Sequence, residues 1–243
     1  MEFITANWDA PIRVKAVTTT RSGGFSTGGY AGLNLGDHVQ DHPEIVSQNR
    51  ALLLAELGLE RQPQWLNQVH GTCLVKASDD GSVPEADACW SDEQGLACIV
   101  MTADCLPVFF ADDQAKQVAV AHAGWRGLLD GVVEKTLEIF ADPAKVHVWL
   151  GPAIGPDAFE VGPEVLDSFT RQMQQADSAF TPVPDTPEKY MADLYALARL
   201  KLEQQGVVHI SGGDLCTYTD SERFYSYRRD GQTGRMASLI WIE

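Results

Sequence analysis

What this chain lacks narrows its function before any motif is read. No apolar run reaches the roughly 18 residues of a membrane-crossing helix, so no span is expected. Residues 1–11 carry Glu2 and Asp9 where a secretory leader is basic, and they hold no apolar stretch of signal length; export is not expected. Cysteine is scarce and odd in number, five at positions 73, 89, 98, 105 and 216, which makes no disulfide framework and fits the reducing cytoplasm. Cations are few: 18 Lys and Arg against 34 Asp and Glu give a formal net charge of −16. Nucleic-acid affinity rests on cations neutralising phosphates, so no nucleic-acid partner is expected. Repeats, low-complexity tracts and Pro/Gly/Ser-rich linkers are absent, so residues 1–243 are expected to form a single domain.

What is present alternates between strand-like and helix-like stretches, which predicts a mixed α and β fold. Residues 12–20 read as a strand. Residues 21–36 (RSGGFSTGGYAGLNLG) form a Gly-rich loop without the Lys or the spacing of a P-loop. A helix is predicted from Asp41 and Pro43, through Ile45, Val46, Leu52, Leu53 and Leu57, to a stop at Gly58. The runs ACIVMT, LPVFFA and QVAVAH, broken by Asp104 and by Asp112 and Asp113, predict adjacent buried strands. A helix is predicted after Arg126, with Leu128, Leu129, Val132, Val133, Leu137 and Phe140 recurring every three to four residues. Strands at Val146–Leu150, 207–211 and Met236–Ile242, and a helix around 191–204, complete the reading.

Three residues at element ends carry candidate chemistry. Cys105 lies in the turn of MTADCLP, His122 closes QVAVAH before a Gly-containing turn, and His70 of WLNQVHG precedes Gly71. Between them lie 34 and 16 residues, unlike the paired C-x-x-C clusters of structural zinc sites. Ligands arriving singly from separate elements suit a catalytic site with three protein ligands and an open fourth position, and two nitrogens with one thiolate suit zinc or copper. The same residues also fit a Cys/His hydrolase in which His122 deprotonates Cys105, or a small core cysteine beside satisfied histidines. A type 1 copper site uses a His/His/Cys set too, but six histidines are too few to add a three-copper cluster. Arg21, Arg126 and the group Arg228, Arg229 and Arg235 lie in Gly-containing turns. They could grip a small anion, or serve as solvated surface charges.

In order and spacing, the segments TTTRSGGFS, LNQVHG, MTADCLPV, VAVAHAGWRG, WLGPAIGP, FEVG, DLCTY and FYSYRRDGQTGRMAS resemble the YfiH family, also called laccase-domain or polyphenol oxidase-like proteins. The resemblance runs over essentially the whole chain. It implies an α+β fold, a layered α/β/β/α sandwich with mixed β-sheets, similar to cytotoxic necrotizing factor and other deamidating toxins. It further implies zinc, with copper as the alternative, held by His70, Cys105 and His122.

The implied activity is phosphorolysis of adenosine, inosine, guanosine and methylthioadenosine, with deamination of adenosine at the same centre and nucleoside and phosphate as partners. On that reading Cys105 and His122 are catalytic as well as ligating, and Asp104 either relays protons or shapes the turn. The phosphate candidates are Arg21, Arg126 and Arg228 or Arg229, in that order. Phe25, Trp125, Tyr225 and Tyr227 are stacking platforms or core. Competing activities are a Cys-dependent amidase or peptidase acting on cell-wall precursors, a copper-dependent phenol oxidase, and a non-catalytic protein with a structural metal.

Overall fold

Short β-branched and aromatic runs separated by turn residues become thirteen strands in the computed structural model, which describes residues 1–243. They are β1 (Phe3–Thr5), β2 (Val14–Thr19), β3 (Leu74–Lys76), β4 (Ala88–Ser91), β5 (Cys98–Thr102), β6 (Leu106–Asp112) and β7 (Val118–Ala123). After these come β8 (Val146–Leu150), β9 (Glu160–Val161), β10 (Phe180–Pro182), β11 (Tyr190–Ala192), β12 (His209–Gly212) and β13 (Met236–Ile242). The helices are α1 (Pro43–Leu57), α2 (Trp125–Asp130), α3 (Val132–Leu137), α4 (Pro163–Gln172), α5 (Leu194–Gln204) and α6 (Tyr227–Asp230). No helix is long and apolar enough to cross a membrane.

The strands form a four-stranded sheet of order β1-β2-β13-β5, a six-stranded sheet β12-β8-β6-β7-β4-β3 and a small sheet β10-β11-β9. Pairing in the six-stranded sheet is mixed, parallel for β12 with β8 and for β3 with β4, antiparallel elsewhere.

Side-chain alternation decides how the layers stack, because successive residues of a strand point to opposite faces. In β6, Leu106, Val108 and Phe110 join a core with Leu128, Val132 and Leu197 of the helices. Phe109 and Ala111 point the other way and meet Val100 and Ile240 of the four-stranded sheet. In β13, Leu239 and Trp241 turn outward to pack with Leu53 of α1. The result is helix, sheet, sheet, helices: the α/β/β/α layering that the resemblance implied. Each large side chain sealed between layers, such as Phe109 at 0% exposure, contributes roughly 1.5–3 kcal/mol.

Three sequence expectations need correction. β5 and β6 are not adjacent strands of one sheet. β5 pairs with β13 and β6 with β7 and β8, so residues 103–105 cross from one sheet to the other. The helix after Arg126 is two helices, because Gly131 adopts φ 101, left-handed backbone that ends α2, while the apolar spacing runs on through it. The stretch around 191–204 begins as strand β11, and helix α5 starts only after Asp193, whose carboxylate caps the Ala196 N–H. The predicted stop of α1 at Gly58 is observed, with φ 64. All five cysteines are free thiols.

Candidate metal centre

His122 stands next to the end of β7. Its alternation puts it on the face of Val118 and Val120, which looks toward the four-stranded sheet. There the crossover from β5 delivers Cys105. The crossover turn is held by Asp104, a non-glycine residue at φ 98, a conformation that costs of order 1–3 kcal/mol unless its surroundings enforce it. Here they do: its carboxylate accepts Thr217 Oγ1–H at 2.7 Å, Ser226 Oγ–H at 3.0 Å and the Arg228 N–H at 2.7 Å. Both carboxylate oxygens of Asp104 thus accept hydrogen bonds that anchor the turn.

The third side chain comes from a loop folded around a residue that sequence reasoning missed. Asp87, fully buried just before β4, accepts the backbone N–H groups of Val69 (3.1 Å), His70 (2.9 Å) and Gly71 (2.7 Å), and lies 2.7 Å from His122 Nδ1. One carboxylate therefore positions two histidines, His70 through its backbone and His122 through its ring. His70 sits at φ 62, which lets consecutive N–H groups converge on the same acceptor. The only sequence signal was an acid among small apolar residues, PEADAC, at the start of a buried strand.

The donor atoms of His70, Cys105 and His122 lie within 4.8 Å of one another. Cys105 Sγ is 3.8 Å from His70 Nε2, and the two imidazoles meet edge to face with centroids 4.7 Å apart. Asp87 occupies Nδ1 of His122, which leaves its Nε2 for a metal, the usual carboxylate–histidine arrangement at such centres. Gly124 closes the back of the set: a Cβ there would stand 2.9 Å from Cys105 Sγ and 3.0 Å from His70 Cδ2. Exposure grades from His70, open to solvent, through Cys105 to His122, buried. An ion held here could therefore meet a ligand from the His70 side.

Electrostatics prepare the thiolate. Burial pushes the Cys105 thiol up, but the charge and hydrogen bond of His122, with His70 behind them, bring it down from 9.0 to about 6. Burial likewise opposes charging of His122, and the Cys105 thiolate with Asp87 raises it from 6.5 to about 9. The Asp87 carboxyl stays below its ordinary value against burial, held there by His122 and the backbone donors.

Cys105 alone adds stability that is complete above 9.0 and lost as pH falls through about 6; His122 alone adds stability complete below 6.5 and lost as pH rises through about 9. Between 6.5 and 9.0 the folded pair and the unfolded pair each carry one proton, so the two pH dependences cancel, the contributions sum to a constant, and stability should be flat from this source. Reactivity is the better readout. In chelated protein, iodoacetamide should alkylate Cys105 with a midpoint near pH 6, moving toward the ordinary thiol value in His122→Ala. Mass spectrometry of the Cys105 peptide separates it from the exposed Cys73. A wild-type midpoint near 9.0 would mean that no imidazolium faces the sulfur.

The donors open on a cavity of about 350 Å³ whose wall includes Met101, Ile154, Phe159 and Tyr227 as apolar surface and Gln68, Arg228 and Arg235 as polar groups. Of the sequence candidates other than the three donors, Asp104, Tyr227, Arg228 and Arg235 line it. Arg21 and Arg126 do not: Arg21 reaches the carbonyls of Ser221 and Ala31 over the Tyr225 ring, and Arg126 lies over Trp125. Tyr225 is core, its hydroxyl donating to the Tyr30 and Ala31 carbonyls, and Phe25 is exposed outside the cavity. Phe159 was visible only as part of the FEVG motif.

Fold and site together define a class: two-sheet α+β proteins with a His/Cys/His donor set at the crossover between the sheets, open to a cavity. Within it, this chain belongs to the family described as multi-copper polyphenol oxidoreductase laccase, whose model matches residues 15–243, and to the YfiH proteins. It is 51% identical over 242 residues to a purine nucleoside phosphorylase of Pseudomonas aeruginosa, covering 99% of this chain and 98% of that one. It is 49% identical over 243 residues to purine nucleoside phosphorylase YfiH of Escherichia coli, covering 99% of each. Among solved structures, a Neisseria meningitidis protein of family DUF152 superposes with a TM-score of 0.96 at 49% identity over all of both chains. Bacillus licheniformis YfiH superposes at 0.89 and 31% identity, covering 95% of this chain and 93% of that one.

Proposed function

We propose that this chain is a cytoplasmic, zinc-dependent purine nucleoside enzyme that phosphorolyses adenosine, inosine, guanosine and methylthioadenosine and deaminates adenosine. The observation that carries the proposal is the three-donor set of His70, Cys105 and His122 at the floor of a cavity within the usual size range for small ligands. Full-length relatives named purine nucleoside phosphorylase support the same reading.

Zinc bound by these residues would supply a Lewis acid with a fourth position open to water or substrate. The chain's own groups do the rest. Phe159 and Tyr227 offer ring surface to a purine, and Gln68 stands beside them, its side chain spanning the Met101 N–H and C=O. Asp104 holds the Cys105 turn and, through the Arg228 N–H, ties α6 to it. In phosphorolysis a phosphate oxygen bonds to the anomeric carbon as the bond to the purine nitrogen breaks, and that electron pair leaves with the base. The cavity must therefore accommodate an anion, for which Arg228 is a candidate on its wall.

One specific observation favours a second reading. Asp87, His122 and Cys105 also compose an acid–imidazole–thiolate series, the arrangement of a Cys-dependent amidase or peptidase. Two imidazoles at one sulfur favour metal, since a hydrolase needs one base only. Metal content measured alongside adenosine turnover, with and without phosphate, before and after chelation, separates the readings. About one zinc per chain, with adenine or inosine formed only by loaded protein, is expected. Turnover indifferent to chelation would transfer the assignment to the Cys105 hydrolase, and oxygen uptake with copper-thiolate absorbance to a phenol oxidase.

A further inference from the structure

A second recess of about 320 Å³ adjoins the metal cavity and shares His38, Tyr227 and Arg235 with it. Gln40, Gln232 and Thr233 make the rest of its wall mainly polar. Arg235 stands at the junction, on the residue before β13. Its N–H donates to Asn34 Oδ1 at 2.9 Å, and its stem lies over Gly36, where a Cβ would come within 2.8 Å of Cγ. Nη1 is fixed by the carbonyls of Thr233 (2.9 Å) and Gly234 (3.0 Å). Nε and Nη2 donate to no protein group, and no carboxylate pairs with the guanidinium.

That is unexpected for a half-buried cation in a chain with 34 acidic residues, because buried charges are ordinarily paired. Arg21 donates to the carbonyls of Ser221 and Ala31, and Arg229 to those of Thr217, Tyr218 and Phe224 and to Asp230. Arg228 spends only Nη1, on the Glu160 carbonyl, but it is exposed, where an unpaired cation is solvated, whereas Arg235 is half-buried. Burial holds the Arg235 guanidinium below its ordinary value against the favourable fields of Cys105 and Asp104, neither of which forms an ion pair with it. His38 lies beside it, with Asp37 3.6 Å from Nδ1.

We infer that Arg235, with His38 and Thr233 beside it, is the subsite for a phosphate oxyanion, which reaches the metal cavity through the junction. The inference rests on the phosphorolysis reading for its reaction, but not for its binding. The guanidinium offers two unused N–H donors in the fork that a tetrahedral oxyanion accepts, and its stem is preset by Gly36.

The test uses zinc-loaded enzyme with inorganic phosphate as the probe. Arg235→Gln should raise the KM for phosphate about tenfold or more, with zinc content and the KM for adenosine unchanged, and Arg235→Lys should recover part of the loss. Phosphate binding is followed separately by 31P line broadening, and folding by circular dichroism and Tm of both variants. An unchanged phosphate KM and unchanged line broadening in Arg235→Gln would overturn the inference, as would wild-type enzyme that binds no phosphate at millimolar concentration. Wild type that binds phosphate through Arg235 yet cleaves no nucleoside would leave the subsite standing and sink the phosphorolysis reading.

Discussion

Cys105→Ala and His122→Ala are expected to lose metal and nucleoside turnover together while keeping the fold. Changing a group that only orients a ligand costs about 10–100-fold in metal affinity or activity, so removing a ligand from a three-donor set should cost more than that. The two variants differ in their side effects. Cys105 is partly exposed and in a turn held by Asp104, so its loss should leave Tm near that of chelated wild type. His122 is buried on Asp87, and its removal deprives a fully buried carboxylate of one of four donors while three backbone N–H groups remain. His122→Ala should therefore be the less stable of the two. Elemental analysis, turnover and thermal unfolding on the same preparations decide it; a metal-free variant with full activity would overturn the catalytic assignment.

Asp87→Asn should damage two properties at once. The native carboxylate presents acceptors on both oxygens, Oδ1 to His70 N–H and His122 Nδ1, Oδ2 to the N–H groups of Val69 and Gly71. An amide replaces one oxygen with an NH₂ group, so donors would face donors in a site with no access to water. Breaking a buried charged pair costs about 3–5 kcal/mol, and weakening the partner of a ligand histidine costs about 10–100-fold in metal affinity. Urea unfolding of chelated protein isolates the first effect; zinc titration of the folded variant measures the second. Wild-type stability with wild-type zinc affinity would show that Asp87 does not position the two histidines.

The three donor residues were legible in the sequence because each sits at the end of an apolar run, next to turn residues. What holds them was not. Asp87 lies 35 positions from His122 and has no periodicity to mark it, and its role exists only once β4 and β7 pair. The runs of β5 and β6 read alike, yet they belong to different sheets, since an apolar pattern specifies burial and not the partner strand. Helical spacing continued through Gly131 because periodicity does not register a single left-handed residue. The arginines could be ranked in sequence only by their turns. Which guanidinium is spent on carbonyls, and which is left free, follows from contacts such as Arg21 with Ser221, 200 positions away.

β13, the final strand of the chain, lies between β2 and β5, and the donors to Asp104 at Thr217, Ser226 and Arg228 also lie near the C-terminus. During synthesis His70, Cys105 and His122 all emerge well before these residues. From residue 122 onward the growing chain therefore carries all three ligands, with the Cys105 turn unanchored until Thr217, Ser226 and Arg228 have followed. β13 can insert between β2 and β5 only after all of these residues have been made, so a variant cut before Met236 should lose function as completely as one that lacks a ligand.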